Sequence, residues 1–458
     1  MQVASDSAPG LSLTRNFLWT FMGNSVYALC QWAVIVCLAK LGSAEMVGQF
    51  ALALAVAFPI TFIANLQLRV LFVTDQSSKY PFGQILGLRL MLSALAALVL
   101  LVTCKIAGYS NQTFALTLIV AAAQLIDCLS ESYYGIAQRH ERMDRIARSQ
   151  IWRSLLGLTL LIIAVHYTGN LLLGAAGLVL GRAVMLFAYD AAPRTFRLSA
   201  QLTADDTNAR RAGRACVSFL ERIRPYWNLR NQLRMAWIAL PLGAASMLIS
   251  LNANMPRYFI QHFHGSRDLG IYSALSYIPV GCIMTATALG QAVFARLSRF
   301  YFFRQNHDFV GLMSKSASFC GSVGGAVLLV SAIAGHKLLA MLYGPEYAEH
   351  TTLLLWLVAG AAVGCVAASF GCAMTATQHF KEQVPLLLVV LVTSVIACFI
   401  LIPRWGLRGA AIAALISMTV QMIGAGSVVY YALRKQGKQQ SGTVSAVFGA
   451  AFEADSEA

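Results

Sequence analysis

The sequence predicts an all-α integral membrane protein of about twelve transmembrane helices, and three observations carry that prediction. Of the 458 residues, 58% are hydrophobic and only 12% charged, where a soluble domain carries roughly a quarter charged residues. The apolar residues fall in blocks of about twenty, the length a helix needs to cross a hydrocarbon core of about 30 Å. Lipid offers no partner to backbone N–H and C=O groups, so each block must satisfy its own as a helix; the blocks are too long and too evenly apolar for outer-membrane strands.

Taken in order, residues 1–14 form a cytoplasmic N-terminal segment, polar and with Asp6 its only charge. No small-residue cleavage site follows, so the first helix is expected to stay in place. A first six-helix bundle spans 15–190, with apolar blocks at 15–39, 46–72, 82–104, 112–137, 149–167 and 171–190. A basic cytoplasmic linker, 191–234, carries the arginines from Arg194 to Arg234 among Phe219, Tyr226 and Trp227. It reads as a topology determinant, with a surface helix touching anionic headgroups as the sharper alternative. The second bundle spans 235–434, with blocks at 235–261, 268–295, 309–335, 348–377, 383–402 and 408–433. The cytoplasmic tail 435–458 is small and polar and is expected to be disordered.

A net charge of +15 raises nucleic acid as a partner, but the basic residues cluster at helix ends instead of forming one surface. Placing both termini in the cytoplasm puts about 22 of the 34 Lys and Arg inside and about six outside, as the positive-inside rule expects. Arg139, Arg142, Arg145 and Arg148, after the fourth helix, contribute strongly. Apart from Cys216 in the linker, the cysteines are scattered through helices without a C-x-x-C pair, and His262 and His264 lack a third ligand, so neither disulfide nor metal is expected. No Walker motif occurs. No cofactor is expected, and the coupling ion, H+ or Na+, is left open.

Internal repetition organises the chain. The link GSAEMVGQFAL matches GSRDLGIYSAL, aligning Gly42 with Gly265, Gly48 with Gly270 and Phe50 with Tyr272; further on, Gly174-Ala175-Ala176 matches Gly409-Ala410-Ala411. Each match joins a helix to the one six places later, which makes the halves parallel repeats, an arrangement in which transporters carry substrate between the two. Pro59 and Pro279 fall at nearly corresponding places and read equally as paired kinks or as packing residues.

Ionisable groups inside a span are costly and usually face protein or an aqueous cavity. Asp127 and Arg182 lie deep, Glu131 one turn from Asp127, Arg89 inside the third helix and Arg69 near the end of the second. Gln124, Asp127, Glu131, Tyr134 and Gln138 share one face of the fourth helix, and Thr20, Asn24, Tyr27 and Gln31 one face of the first, so both faces are expected to line a wet interior. Two readings of the carboxylates stand together: neutralising Arg89 or Arg182 in a packing ion pair, or exchanging a proton or sodium during transport. Nothing ionisable lies deep in the second half.

The segments RNFLWTFMGNSVYALCQW, NLQLR, GLRL and SESYYGIAQRHERMDRIARS, then NMPRYFI, ALGQAVFARLSRFY and LYGPEYAEHTTLL, occur in an order that resembles a bacterial polysaccharide or O-antigen flippase of the multidrug/oligosaccharidyl-lipid/polysaccharide superfamily. That resemblance covers nearly the whole chain and implies a V-shaped, MATE-like fold of two six-helix bundles in the bacterial inner membrane. It implies alternating access, in which an undecaprenyl-diphosphate-linked oligosaccharide enters a cationic cavity from the cytoplasm while its tail stays among membrane lipids. Arg89, Arg182 and Arg69 would meet diphosphate or acidic sugar, and the product would pass to polymerase and chain-length machinery of lipopolysaccharide or other surface glycans. Lipid II flippases of the superfamily have fourteen helices, so a count of twelve favours an oligosaccharide.

Two other functions compete. A cation-coupled multidrug exporter of the same superfamily fits the architecture but not deep arginines. A membrane polysaccharide polymerase or glycosyltransferase needs a sizeable outside loop with a nucleophile–base constellation, and the outside loops here are of ordinary connection length. A transporter and not an enzyme is expected.

Overall fold

The computed structural model describes residues 12–74, 81–192, 225–377 and 382–456. All of its regular elements are helical. Most of the arginine-rich linker, including Arg194 and Phe219, lies outside the described residues. The helices are α1 (Leu13–Leu41), α2 (Ala44–Asn65), α3 (Leu68–Thr74), α4 (Phe82–Ile106), α5 (Asn111–Arg139), α6 (Met143–Thr168) and α7 (Leu171–Met185), which ends in a π-turn, Leu186–Asp190. Then come α8 (Leu229–Ser276), α9 (Val280–Phe302), α10 (Asn306–Leu342), the short α11 (Pro345–Ala348), α12 (Thr351–Ala376) and α13 (Gln383–Ser456).

Hydroxyl caps set several starts: Ser12, Ser43 and Ser110 accept from the backbone N–H of Arg15, Met46 and Thr113, satisfying donors that a helix N-terminus leaves unpaired. Ten described helices are long and apolar enough to cross a membrane, and a bent pair, Val280–Phe294 with Arg296–Phe302 at 42°, makes an eleventh. Gly406, at φ 57°, divides α13, so about twelve spans stand. Gly265, at φ 83°, breaks α8 in the same way, and both breaks use a backbone region that glycine enters without a Cβ penalty. Where the sequence predicts a disordered tail, the α13 backbone continues helically to Ser456.

The chain forms two compact units, Met1–Ala274 and Leu275–Ala458. The first holds more than the first six spans, because most of α8 belongs to it. Met235 and Ala239 of α8 pack in one cluster with Leu66, Leu68, Phe72, Ile85, Leu88 and Ile136, and the Tyr226 N–H donates to the Gly83 carbonyl at 2.9 Å. Pro59 sits inside α2 and has no N–H to give the carbonyl of Ala55. The Tyr258 hydroxyl of α8 donates to that carbonyl instead. Pro279 does not mirror it: it caps the start of α9 after a turn at 277–279, so in place of a pair of kinks there is one kink and one break.

The repeat-matched glycines occupy matched surroundings. A Cβ on Gly48 would meet the Ser266 carbonyl at 1.7 Å, and one on Gly270 the Ala44 carbonyl at 1.8 Å, so α2 and the second arm of α8 cross backbone to backbone. Gly174 likewise abuts Val165 and Leu161 of the preceding helix, and Gly409 abuts Leu401. Gly177 and Gly181 bring α7 onto Leu160 and Gly157 of α6, the close contact that a small-residue strip permits. In the second unit, α12 is central, with Ala373 and Met374 packed among Leu297, Phe309, Ala425 and Val429. The described cysteines are free thiols.

Candidate functional site

The polar face of α5 is the spine of the site, and its helical spacing hands each side chain to a different neighbour. Asp127 sits among two guanidiniums: its Oδ1 accepts from Arg153 Nη1 of α6 at 2.9 Å, and its Oδ2 faces Arg182 Nη1 of α7 at 3.4 Å. All three side chains are at most 14% exposed. Arg153 also lies over the rings of Tyr27 and Tyr134, at 5.4 and 5.6 Å, a face-on placement that attracts a cation. The Tyr27 hydroxyl accepts from Gln31 Nε2 at 3.0 Å. Beside them lies a small cleft between α1, α6 and α7, lined by Tyr27, Gln31, Arg153, Ser154 and Arg182.

The trio of two arginines and one carboxylate carries one positive charge in excess. That excess favours an anion, since charges in a water-poor setting interact far more strongly than in bulk water. Arg182 is the more available of the two: its contact to Asp127 is longer, and it lacks the pair of rings that holds Arg153.

One turn on, Glu131 Oε2 pairs with Arg69 Nη1 at 2.9 Å, and Arg69 Nε donates to Gln138 Oε1 at 2.7 Å. This pair is balanced. Arg89 is wholly buried, at 0% exposure. Its Nη1 donates to both the backbone O and Oδ1 of Asn65 at 2.8 Å, and its Nε to Ser132 Oγ at 3.2 Å. Asn65 is the last residue of α2, and Leu66 and Gln67 follow in the left-handed region. Arg89 therefore satisfies a carbonyl that the helix end leaves unpaired and sets a positive charge at the negative end of the helix dipole. It holds that end of α2 instead of lining the cleft.

Of the other expected cavity residues, Tyr134 is buried with its hydroxyl 2.7 Å from Ser149 Oγ. Gln124 is buried with Nε2 unpartnered, and Asn24 lies on the exposed side of α1. At the start of α6, Arg142 Nε and Nη2 grip Asp144 at 2.9 and 3.1 Å. That hydrogen-bonded pairing raises the Arg142 guanidinium above its ordinary value. Arg148 lies over Trp19, and Arg139 over Phe72, so the basic stretch after α5 packs as well as marking topology.

Sequence reasoning missed Arg153 and Asp190. The apolar block begins at 149, which left Arg153 near a helix end, but α6 starts at Met143 and carries Arg153 about 15 Å in at 1.5 Å per residue. The Arg142–Asp144 clasp was the available signal. Asp190 closes the seventh helix as the last residue of the π-turn and is only 4% exposed. No spacing rule predicts that turn.

A family model and three known proteins resemble the chain. The family model described as polysaccharide biosynthesis protein matches residues 13–301. A capsular polysaccharide biosynthesis protein of Staphylococcus aureus, CapF, is 25% identical over 413 residues, which cover 90% of this chain and 98% of that one. Among solved structures, an inward-facing multidrug resistance MATE family transporter of the MOP superfamily superposes with a TM-score of 0.63 at 13% identity, over 92% of this chain and 99% of that one. The lipid II flippase MurJ in an inward closed conformation gives a TM-score of 0.66 at 13% identity, over 90% and 86%. The fold is that of these multi-pass membrane proteins.

Proposed function

The chain belongs to the polysaccharide biosynthesis protein family, and from that membership we propose that it is a flippase carrying an undecaprenyl-diphosphate-linked oligosaccharide from the cytoplasmic to the outer leaflet of a bacterial inner membrane. The observation that carries this reading is the excess positive charge where Arg153 and Arg182 share Asp127. A diphosphate is a polyanion with oxygens spaced for bidentate contact by guanidinium. It would draw Arg182 away from its longer contact with Asp127 first, leaving Arg153 between its two tyrosines and the carboxylate. The sugar would lie in the cleft beside Tyr27 and Gln31, and the polyprenyl tail would stay in lipid while the two bundles alternate access. MurJ is a lipid II flippase and CapF a capsular polysaccharide biosynthesis protein, and both fit this role. The glycan would then pass to polymerase and chain-length machinery outside.

A cation-coupled multidrug exporter shares the fold, but a cleft with a surplus guanidinium repels the cations it would carry. The direct test removes the protein from cells that make the glycan. Lipid-linked oligosaccharide accumulating on the inner leaflet supports the proposal, and surface glycan at the normal level sinks it.

A further inference from the structure

The buried network around Arg153 contains two complementary groups that do not meet. Arg153 Nε, a donor, and Asp190 Oδ2, an acceptor, are both buried and both lack a hydrogen-bond partner. Asp190 is 4% exposed and Arg153 6%, and each lies within electrostatic reach of the other. Arg153 spends its Nη1 on Asp127 at 2.9 Å. The Asp190 carboxyl is hydrogen-bonded by the hydroxyls of Ser130 and Ser149, and Ser149 is in turn 2.7 Å from the Tyr134 hydroxyl. Tyr134 lies beneath the Arg153 guanidinium. A chain of hydroxyls thus runs from the ring under Arg153 to the Asp190 carboxyl.

The π-turn puts Asp190 there. An extra residue in the last turn of the seventh helix rotates its end, and such turns occur often at functional positions. The groups facing Asp190 are Tyr133 and Tyr134 of α5, Arg145 and Arg153 of α6, and Tyr189 of its own turn, with Asp127 farther along α5. A narrow cavity lined by Tyr133, Tyr134, Arg145 and Tyr189 lies beside the carboxyl.

We propose that Asp190 is a proton-binding site and that its ionisation offers Arg153 a second partner, so that Arg153 passes between Asp127 and Asp190 as the proton leaves and returns. When Asp190 carries its proton, the two serines suffice for a neutral carboxyl, and Arg153 stays on Asp127, as seen here. When the proton leaves to water, a buried carboxylate with an unpaired oxygen needs a cation, and Arg153 Nε is the unpaired donor nearby. Its move releases Asp127 to Arg182 alone and so changes the charge that a substrate anion meets in the cleft. Proton movement becomes coupled to anion affinity through one side chain. The coupling rests on the transport reading above, whereas proton binding at Asp190 does not.

The test separates the two. Infrared difference spectra of the purified full-length protein, recorded as pH is changed, report protonated carboxyl groups directly and need no substrate. The expected result is a titrating carboxyl band that is lost in Asp190→Asn and kept in Glu131→Gln; a band unchanged in Asp190→Asn overturns the proton site. Should Asp190→Asn fail to fold, Ser149→Ala, which removes a donor to the carboxylate, moves the midpoint of the band to higher pH, and an unmoved midpoint overturns it equally. In proteoliposomes, a pH gradient is expected to speed anion-linked lipid translocation at least tenfold in wild type and not in Asp190→Asn. An equal gradient response in both overturns the coupling. A titrating band in a protein that translocates no lipid leaves the proton site standing and removes the flippase reading.

Discussion

Replacing Asp127 by Asn probes the centre of the site with almost no change in shape. The carboxylate meets Arg153 at 2.9 Å and Arg182 at 3.4 Å, and the three side chains are 14%, 7% and 9% exposed. Unit charges about 4 Å apart attract by about 4 kcal/mol at the effective dielectric of a partly buried pair. Asparagine abolishes both attractions and leaves two guanidiniums repelling each other. Removing one partner of a buried ion pair costs about 3–5 kcal/mol, which for a unit of this size lowers the unfolding midpoint on the order of 10 °C. Thermal unfolding of the detergent-purified protein, followed by tryptophan fluorescence, measures it. Adding Arg182→Gln to Asp127→Asn restores the original charge excess and should recover about 1–3 kcal/mol, a coupling expected only between interacting residues. An Asp127→Asn variant as stable as wild type, or a double variant no better than the single, refutes the shared-carboxylate account.

Other outcomes follow from the same contacts. Arg182→Ala should lower translocation at least tenfold while protein abundance falls much less, as measured by immunoblot beside surface glycan; equal loss of both would mean a packing role alone. Tyr258→Phe leaves the Ala55 carbonyl without its donor and should cost about 1–3 kcal/mol. Most of that cost should vanish in a Pro59→Ala background, which returns the missing N–H, and an equal cost in both backgrounds breaks the link between Tyr258 and the kink. Gly48→Ala sets a methyl 1.7 Å from the Ser266 carbonyl, so it should destabilise by at least about 1–3 kcal/mol, and Gly270→Ala by a similar amount. A neutral result for either means that α2 and α8 do not cross there.

Much of this was legible in the sequence because lipid constrains it so tightly. Block length located the helices, and the six-helix period predicted that Gly48 and Gly270 hold like positions. That the two glycines face each other was not legible, since hydropathy reports the length of a span and not its partner. The same limit hid α8, whose Met235 and Ala239 pack with the first unit although its sequence matches the start of the second repeat. Periodicity brought Asp127, Glu131 and Tyr134 to one face of α5, and the packing ion pair read for Asp127 appears with Arg182. Arg153 was lost because hydropathy trims the polar first turn and a half from α6, which leaves its charge near the end of the block. Arg89 was visible as a buried cation, but the carbonyl it holds exists only because α2 breaks after Asn65, and the segment NLQLR carries no glycine or proline to announce that break.

The central claim, that the chain carries a lipid-linked glycan across the bilayer on a cationic cleft, is tested most directly by reconstitution. Purified protein would be inserted into vesicles containing undecaprenyl-diphosphate-linked oligosaccharide, and an impermeant glycan-cleaving enzyme would then report how much lipid has reached the outer leaflet. The account predicts that the protected inner-leaflet pool becomes accessible in wild-type vesicles and stays protected with Arg182→Ala. Accessibility no faster than in protein-free vesicles, or equal with both proteins, would contradict it.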